Sequence, residues 1–410
     1  MTTYSNNSND NKEEPTEISN AEERRLLRKI DIRIIPLFIL LYTLCYLDRV
    51  NIGNAKLAHL EHDLNLTGNE YNWSLGIFFV TYVFFEVPSN IILIKIKPSI
   101  WISSLMVGWG VVMIVMAFVS IKYFSSNCGF FEAGLLPGVI FYFTKWYKRS
   151  EQTYRVGLFY TGCLMAGAFS GFLAYAIMGM DDFPETTTWL TEDERKIVID
   201  RLQNDLGDIT ATDLDKYQIY EAFKDWVLIS QLLSVPPFIL GCFATIIISI
   251  LSDRSGVRGP YLICSSLIAI VGYVLLVIPT SSIAIKYIGL CFVCMGLFSF
   301  IPVSIIWLAN NLAGNLKRAV GSAIMIASGN AAGVVGSQLY QPQDAPAYKF
   351  GHITAILLLL FTIILTIVQY CLLNRANKLK IKYPERFLKG KSKEEAVVLG
   401  DKHPSFVYRL

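Results

Sequence analysis

The chain has 410 residues, of which 53% are hydrophobic, 13% aromatic and only 17% charged, and its net charge is +3. Soluble domains carry about 25% charged residues, whereas the deficit here lies in uncharged blocks close to the roughly 20 residues that cross a bilayer. The composition therefore argues against a soluble protein, and no nucleic-acid-binding module appears in the sequence.

Residues 1–33 are predicted to form a disordered, cytosolic N-terminal tail that is polar at first and basic near its end. Ten apolar blocks follow, and each is long enough to be a transmembrane helix. In chain order they are Ile34–Ala55, Trp73–Leu93, Ile100–Ser120, Phe124–Thr144, Val156–Met180, Trp226–Leu251, Tyr261–Thr280, Tyr287–Ala309, Ala319–Gln338 and Ile353–Leu373. The expected fold class is an all-α, polytopic membrane protein.

The basic residues orient these spans. Clusters of Lys and Arg occupy alternate loops, whereas four of the intervening loops carry one basic residue each: Lys56, Lys122, Lys286 and Lys349. The positive-inside rule then places both termini in the cytosol, including a basic tail at 374–410. The spans divide into an N-terminal bundle at 34–180 and a C-terminal bundle at 226–373. Between them lies a polar linker at 181–225 with 13 acidic and five basic side chains.

Some polar side chains lie inside the apolar blocks, where ionisable groups are expensive and functional by default. The charged candidates are Asp48, Arg49, Glu86 and Glu132, and the amides are Asn310 and Asn330. Arg49 is a candidate counter-charge for an anionic substrate, and the carboxylates are candidate proton carriers because burial disfavours their charged form. Alternatively, Asp48 and Arg49 pair structurally or reach the interface by snorkelling. The amides can bind substrate or hold helices together.

The loop after the sixth span reads Ser-Ile-Leu-Ser-Asp-Arg-Ser-Gly-Val-Arg from Ser249 to Arg258. It resembles the loop signature of major facilitator transporters, in which an acidic–basic pair locks helices together on the cytosolic side. The candidate gate residues are Asp253, Arg254, Gly256 and Arg258. Ser249 stands where that signature usually has glycine.

Stretches spread along the chain are similar to the fungal allantoate permease-like branch of the anion:cation symporters, within the major facilitators. They are Leu47–Lys56, Phe85–Asn90, Phe131–Gly138, Lys145–Arg149, Ser252–Arg254, Asn310–Gly314, Lys317–Ala319, Ser328–Asn330 and Asp344–Tyr348. The resemblance implies two helical halves with a substrate site between them. It also implies proton-coupled uptake of a small carboxylate such as nicotinate, allantoate or pantothenate, with Arg49 and Glu132 at matching positions.

The chain departs from that family in helix number. Family members resemble twelve-helix proteins, whereas ten spans are counted here. Phe183–Glu192 is similar to the segment after the family's sixth helix, and Leu232–Pro237 is similar to the start of its eighth. We therefore expect the sixth and seventh helices to be missing, in a shortened or mis-assembled gene product or in a divergent protein.

The sequence predicts a secondary active transporter of a small organic anion, coupled to protons. The alternative is a non-transporting paralogue or sensor of the same family. A membrane enzyme is disfavoured because no metal-ligand cluster or nucleophile motif occurs. The expected partners are the anionic substrate, the proton and the lipid bilayer, without cofactor, metal or nucleic acid. A monomer in the plasma membrane is expected from the resemblance.

Overall fold

The computed structural model describes residues 20–57, 70–116, 125–178, 226–279, 282–340, 344, 347–388 and 399–410. Apart from 3₁₀ turns at residue 344 and at Gly400–Lys402, the regular structure in these ranges is α-helical. The helices are α1 (Asn20–Leu57), α2 (Glu70–Lys95), α3 (Pro98–Met116), α4 (Ser125–Glu132), α5 (Leu135–Trp146), α6 (Gln152–Met178), α7 (Trp226–Ser255), α8 (Gly259–Val277), α9 (Ile283–Asn311), α10 (Asn315–Leu339), α11 (Lys349–Lys382) and α12 (Pro384–Leu388).

Where they are described, the residues of the ten predicted spans are helical, except at a break in the fourth and at the end of the seventh, so the prediction of an all-α, polytopic membrane protein is confirmed. Among the described residues, seven helices are long and apolar enough to cross a membrane: α1, α2, α3, α7, α8, α9 and α11. Helix α1 begins at Asn20, within the predicted N-terminal tail. Residues 1–19 and the linker at 181–225 lie outside the described residues.

The fourth predicted span is not one helix, because it divides into α4 and α5 around Ala133 and Gly134. Pro137 explains the position of the break. It has no amide hydrogen to donate to the carbonyl of Ala133, four residues earlier, and its ring crowds that carbonyl. A Cβ on Gly134 would stand 2.0 Å from Ser89 Oγ. The break therefore lies where the chain presses closely against α2.

In the first part of the chain, α1 packs against α6, α4 packs against α2 and α3, and α5 contacts α6. Their core is aromatic: the ring of Phe38 meets that of Phe143 edge-on at 5.8 Å, and Tyr42 lies 4.5 Å from Phe159. At one end, Arg155 of α6 holds Asp31 of α1 with two bonds, Nε to Oδ1 at 2.7 Å and Nη2 to Oδ2 at 3.0 Å. Two such hydrogen bonds between one guanidinium and one carboxylate fix the orientation of the two groups as well as their separation.

In the second part of the chain, α9 packs against α7 and α8, and α8 packs against α11. The backbones of α8 and α9 approach so closely that a Cβ on Gly296 would lie 2.5 Å from the amide nitrogen of Ala269. This use of glycine is typical of helix packing in membranes. The two parts of the chain meet where α6 packs on α7 and α2 packs on α10. We call this contact the seam.

Part of the predicted C-terminal tail at 374–410 lies against the helices. Helix α11 continues to Lys382, the short α12 follows, and residues 399–410 return to the bundle. By contrast, the middle of α11 exposes large apolar side chains, among them Leu357, Phe361 and Ile364. Such a surface is stable against lipid rather than water.

Candidate functional site

Arg49 and Glu132 form an ion pair between two helices. Arg49 Nε lies 2.8 Å from Glu132 Oε1, and the side chains are 19% and 6% exposed. Arg49 comes from α1, about 22 Å along the helix from Ile34, and Glu132 is the last residue of α4. The break after Glu132 leaves this carboxylate at a helix end, where it can turn toward α1.

Three aromatic rings surround the Arg49 guanidinium. The guanidinium carbon lies 5.4 Å from the ring centre of Tyr46, 5.0 Å from Phe78 and 4.9 Å from Tyr82. Arginine above an aromatic face gains cation–π attraction, which strengthens when water is excluded. These flat rings leave a planar, apolar surface beside a fixed positive charge.

Two further carboxylates lie in the same region. Glu86 of α2 is fully buried, and among the described residues neither of its carboxylate oxygens makes a well-formed hydrogen bond. Oδ2 of Asp48 is also buried and makes no well-formed hydrogen bond with a described residue. The side chain of Asn330, on α10, approaches Glu86 from the other side of the seam. The predicted residues Asp48, Arg49, Glu86, Glu132 and Asn330 are thus brought to one region.

The alternative that Asp48 and Arg49 pair with each other does not match this geometry. Neighbouring residues on a helix point in different directions and do not face each other. Arg49 pairs with Glu132 instead. Asn310, a second predicted amide, also lies elsewhere: it is buried, and its Nδ2 donates to the carbonyl oxygen of Arg149 at 3.2 Å. It therefore belongs to the gate rather than to the charge cluster.

The predicted gate residues lie at the end of the bundle that carries the segments 147–151 and 253–258, which we call the basic end, and we refer to their contacts as the gate. The Arg258 side chain is 1% exposed, and Nη2 donates to Asp253 Oδ1 at 3.1 Å. Nη2 also donates to the carbonyl oxygen of Arg149 at 2.8 Å, and Nη1 bonds Thr153 Oγ1. Burial lowers the pKa of Arg258, an effect that Asp253 opposes. One guanidinium thus joins both sides of the seam.

Asp253 makes a second contact across the seam, because its Oδ2 accepts from the amide of Tyr154 at 2.7 Å. Gly256 makes the local turn possible: its φ is +68°, a conformation that glycine adopts at little cost. That turn brings the chain back so that Arg258 meets Asp253. Arg254, also predicted for the gate, is exposed.

Sequence reasoning did not identify the aromatic rings or the partners of the gate. Spacing could have suggested the rings, because Tyr46 lies about one helical turn before Arg49, and Phe78, Tyr82 and Glu86 recur every four residues. Thr153, Tyr154 and the carbonyl of Arg149 leave no comparable signal. They make their hydrogen bonds through backbone groups or a small hydroxyl, which do not stand out in a sequence.

Comparison with known proteins gives consistent matches. The sequence profile of the Major Facilitator Superfamily matches residues 38–185. The MFS transporter prlL of a fungal species is 30% identical over 417 residues, which cover 83% of this chain and 84% of that protein. The high-affinity nicotinic acid transporter of Saccharomyces cerevisiae is 26% identical over 462 residues, covering 95% of this chain and 85% of that protein. The solved E. coli fucose:proton symporter FucP has a TM-score of 0.45 and 12% identity, covering 81% of this chain and 98% of that one.

The length of these alignments bears on the count of helices. The alignment with the S. cerevisiae protein extends over 462 residues, although this chain has 410. The relative must therefore have residues at many aligned positions where this chain has none. A loss of two helices would have this effect.

Proposed function

Since the chain belongs to the Major Facilitator Superfamily of membrane transporters, we propose that it imports a small organic anion together with a proton. The observation that supports this proposal is the buried ion pair of Arg49 and Glu132 inside an aromatic cage. The class of substrate also agrees with the relative named as a nicotinic acid transporter.

The charge balance of the pair supplies the coupling. While Glu132 is ionised it neutralises Arg49, and a substrate carboxylate would add unbalanced negative charge to a buried site. Protonation of Glu132 leaves the guanidinium without its partner, and an uncompensated buried charge costs about 3–5 kcal/mol. An incoming carboxylate removes that cost. Proton binding and anion binding therefore favour each other, and by linkage the effect is reciprocal.

The neighbouring groups have supporting roles in this proposal. The rings of Tyr46, Phe78 and Tyr82 offer a stacking surface for a flat carboxylate, such as a pyridine carboxylate. Asn330 offers an amide from across the seam. Asp48 and Glu86 are additional proton carriers, because each has a carboxylate oxygen that is buried without a well-formed hydrogen bond to a described residue, which is unfavourable for the anion.

The proposal includes orientation and movement. The basic end faces the cytosol, as the positive-inside rule requires, and both termini lie there. The helices of 34–180 and of 226–373 are two bundles that rock about the seam, so that the gate opens as the opposite side closes. The chain acts as a monomer in the plasma membrane, with the anion, the proton and lipid as its partners.

A non-transporting sensor is the second candidate, and the alignment lengths favour it. A chain that lacks segments of its transporting relatives could keep the ligand site and lose the rocking movement. Such a protein would bind the anion at Arg49 without moving it. Binding and transport must therefore be measured separately.

Proteoliposomes containing the purified chain test the proposal. With an acidic exterior and a neutral lumen, we expect radiolabelled nicotinate, allantoate or pantothenate to accumulate at least about fivefold faster than in protein-free vesicles under the same gradient, which correct for passive entry of the neutral acid. Nicotinamide is the matched control, because it keeps the ring of nicotinate but lacks the carboxylate that pairs with Arg49. Equal accumulation of nicotinamide, or accumulation that ignores the gradient, would contradict the proposal. Saturable binding without accumulation would identify the sensor.

A further inference from the structure

Residues 399–410 lie in a groove at the basic end, outside the charge cluster. Lys380 of α11 anchors the start of this segment, because Nζ donates to the carbonyl oxygens of Asp401 at 2.6 Å and Phe406 at 2.8 Å. Lys317 of α10 adds a bond of 2.6 Å to Asp401 Oδ1. Burial alone would raise the pKa of Asp401, but the hydrogen bond from Lys317 holds it below its ordinary value.

Two asparagine side chains recognise the backbone of this segment. Asn377 Nδ2 donates to the carbonyl oxygen of Tyr408 at 2.8 Å, and its Oδ1 accepts from the Tyr408 amide at 2.9 Å. Asn311 does the same for Arg409, at 3.0 and 2.8 Å. A side-chain amide has the donor and acceptor of a peptide group, so each asparagine satisfies one residue of an extended chain. Both asparagines are buried, which makes an unpaired amide there costly.

Further contacts tie the segment to both sides of the seam. Trp307 Nε1 donates to the carbonyl oxygen of Arg409 at 2.9 Å, and the amide of Arg258 bonds the carbonyl oxygen of Leu410. On the other side, the Arg149 guanidinium carbon lies 4.5 Å from the centre of the Phe406 ring. Arg149 and Arg258 are the residues through which the gate closes.

We propose that this groove is a docking site for residues 403–410, and that the docked segment is a latch that holds the basic end closed. Its bonds can form together only while Arg149, on one side of the seam, stays next to Arg258 and Asn311 on the other. Opening of the gate would separate these partners, so it requires release of the segment. The docking follows from the contacts alone, whereas its effect on import rests on the proposed function.

Hydrogen exchange of the full chain in lipid nanodiscs, read by mass spectrometry, tests both parts without any transport. In the wild type, we expect the amides of Tyr408 and Arg409 to exchange at least about tenfold more slowly than in an unstructured peptide. Replacement of both asparagines, Asn311→Ala with Asn377→Ala, is expected to remove that protection. It is also expected to speed exchange of the Tyr154 amide, which the gate holds, at least about threefold.

Two variants make the result specific. Asn315→Ala changes an exposed asparagine at the start of α10 and is expected to leave exchange unchanged. Arg409→Pro removes the amide hydrogen that Asn311 accepts and leaves the groove intact, so it separates loss of docking from damage to the helices. Fast exchange of residues 403–410 in the wild type would overturn the docking site. Release of the segment by the double asparagine replacement or by Arg409→Pro, while the Tyr154 amide keeps its protection, would overturn the latch.

Discussion

Arg49→Ala is expected to lower anion uptake at least about 100-fold. Among the described residues, Arg49 is the one cation of the charge cluster, and the change removes it. The change also leaves Glu132 buried without its partner. The loss of a partner from a buried pair costs about 3 kcal/mol or more, which corresponds to roughly 150-fold in an equilibrium constant. Arg49→Lys is expected to retain part of the activity, since it keeps the charge but loses the planar group that lies over the rings. Initial rates of uptake at equal protein content measure both.

Arg33→Ala is the matched control for this experiment. It removes the same kind of charge from the same helix, at an exposed position near the basic end. Its uptake is expected to stay within about twofold of the wild type, since exposed charges contribute little. Undiminished uptake by a well-folded Arg49→Ala protein would rule out the role given to Arg49.

Arg258→Ala is expected to release the gate. This side chain joins Asp253, Thr153 and the carbonyl of Arg149 across the seam and is almost completely buried. Among the described residues, its removal leaves Asp253 with one hydrogen bond, from the Tyr154 amide. We expect the closed state to lose about 3 kcal/mol, which is roughly 150-fold in population. Tryptic cleavage within the 147–151 loop requires its backbone to leave the contact with Arg258, and it is expected to accelerate at least about tenfold.

Arg254→Ala serves as the comparison for the gate. Arg254 belongs to the same loop and carries the same charge, but its side chain is exposed. Its replacement is expected to leave the cleavage rate of the wild type nearly unchanged. Equal cleavage rates in Arg254→Ala and Arg258→Ala would show that Arg258 does not hold the basic end closed.

The spans and their charged residues could be predicted because hydrocarbon imposes a simple requirement on the sequence. An uncharged block of membrane length has few alternatives to a helix, and a charge inside such a block stands out at once. Arg49 and Glu132 were therefore found individually. Their pairing was not, because it depends on the break at Pro137, which turns the end of α4 toward α1. The sequence offered Asp48 as the partner, although helix geometry points it elsewhere.

The gate was predicted in part for a similar reason. Asp253 lies in the last turn of α7 and Arg258 follows just after it, so their contact depends on a local turn that the positive φ of Gly256 allows. Their partners across the seam are distant in sequence and bind through backbone atoms. The docked segment was missed entirely. Its basic residues predicted a tail, whereas its contacts with Asn311 and Asn377 use peptide groups that every sequence has.

Proton movement driven by the substrate tests the central claim most directly. Proteoliposomes with a pH-sensitive dye in the lumen receive nicotinate on the outside, and vesicles with the Arg49→Ala protein correct for passive import of the neutral acid. We expect the wild-type chain to acidify the lumen faster than this control, in step with the arrival of nicotinate. Nicotinate that accumulates faster than in the control, with no extra acidification, would contradict coupling through the Arg49–Glu132 pair.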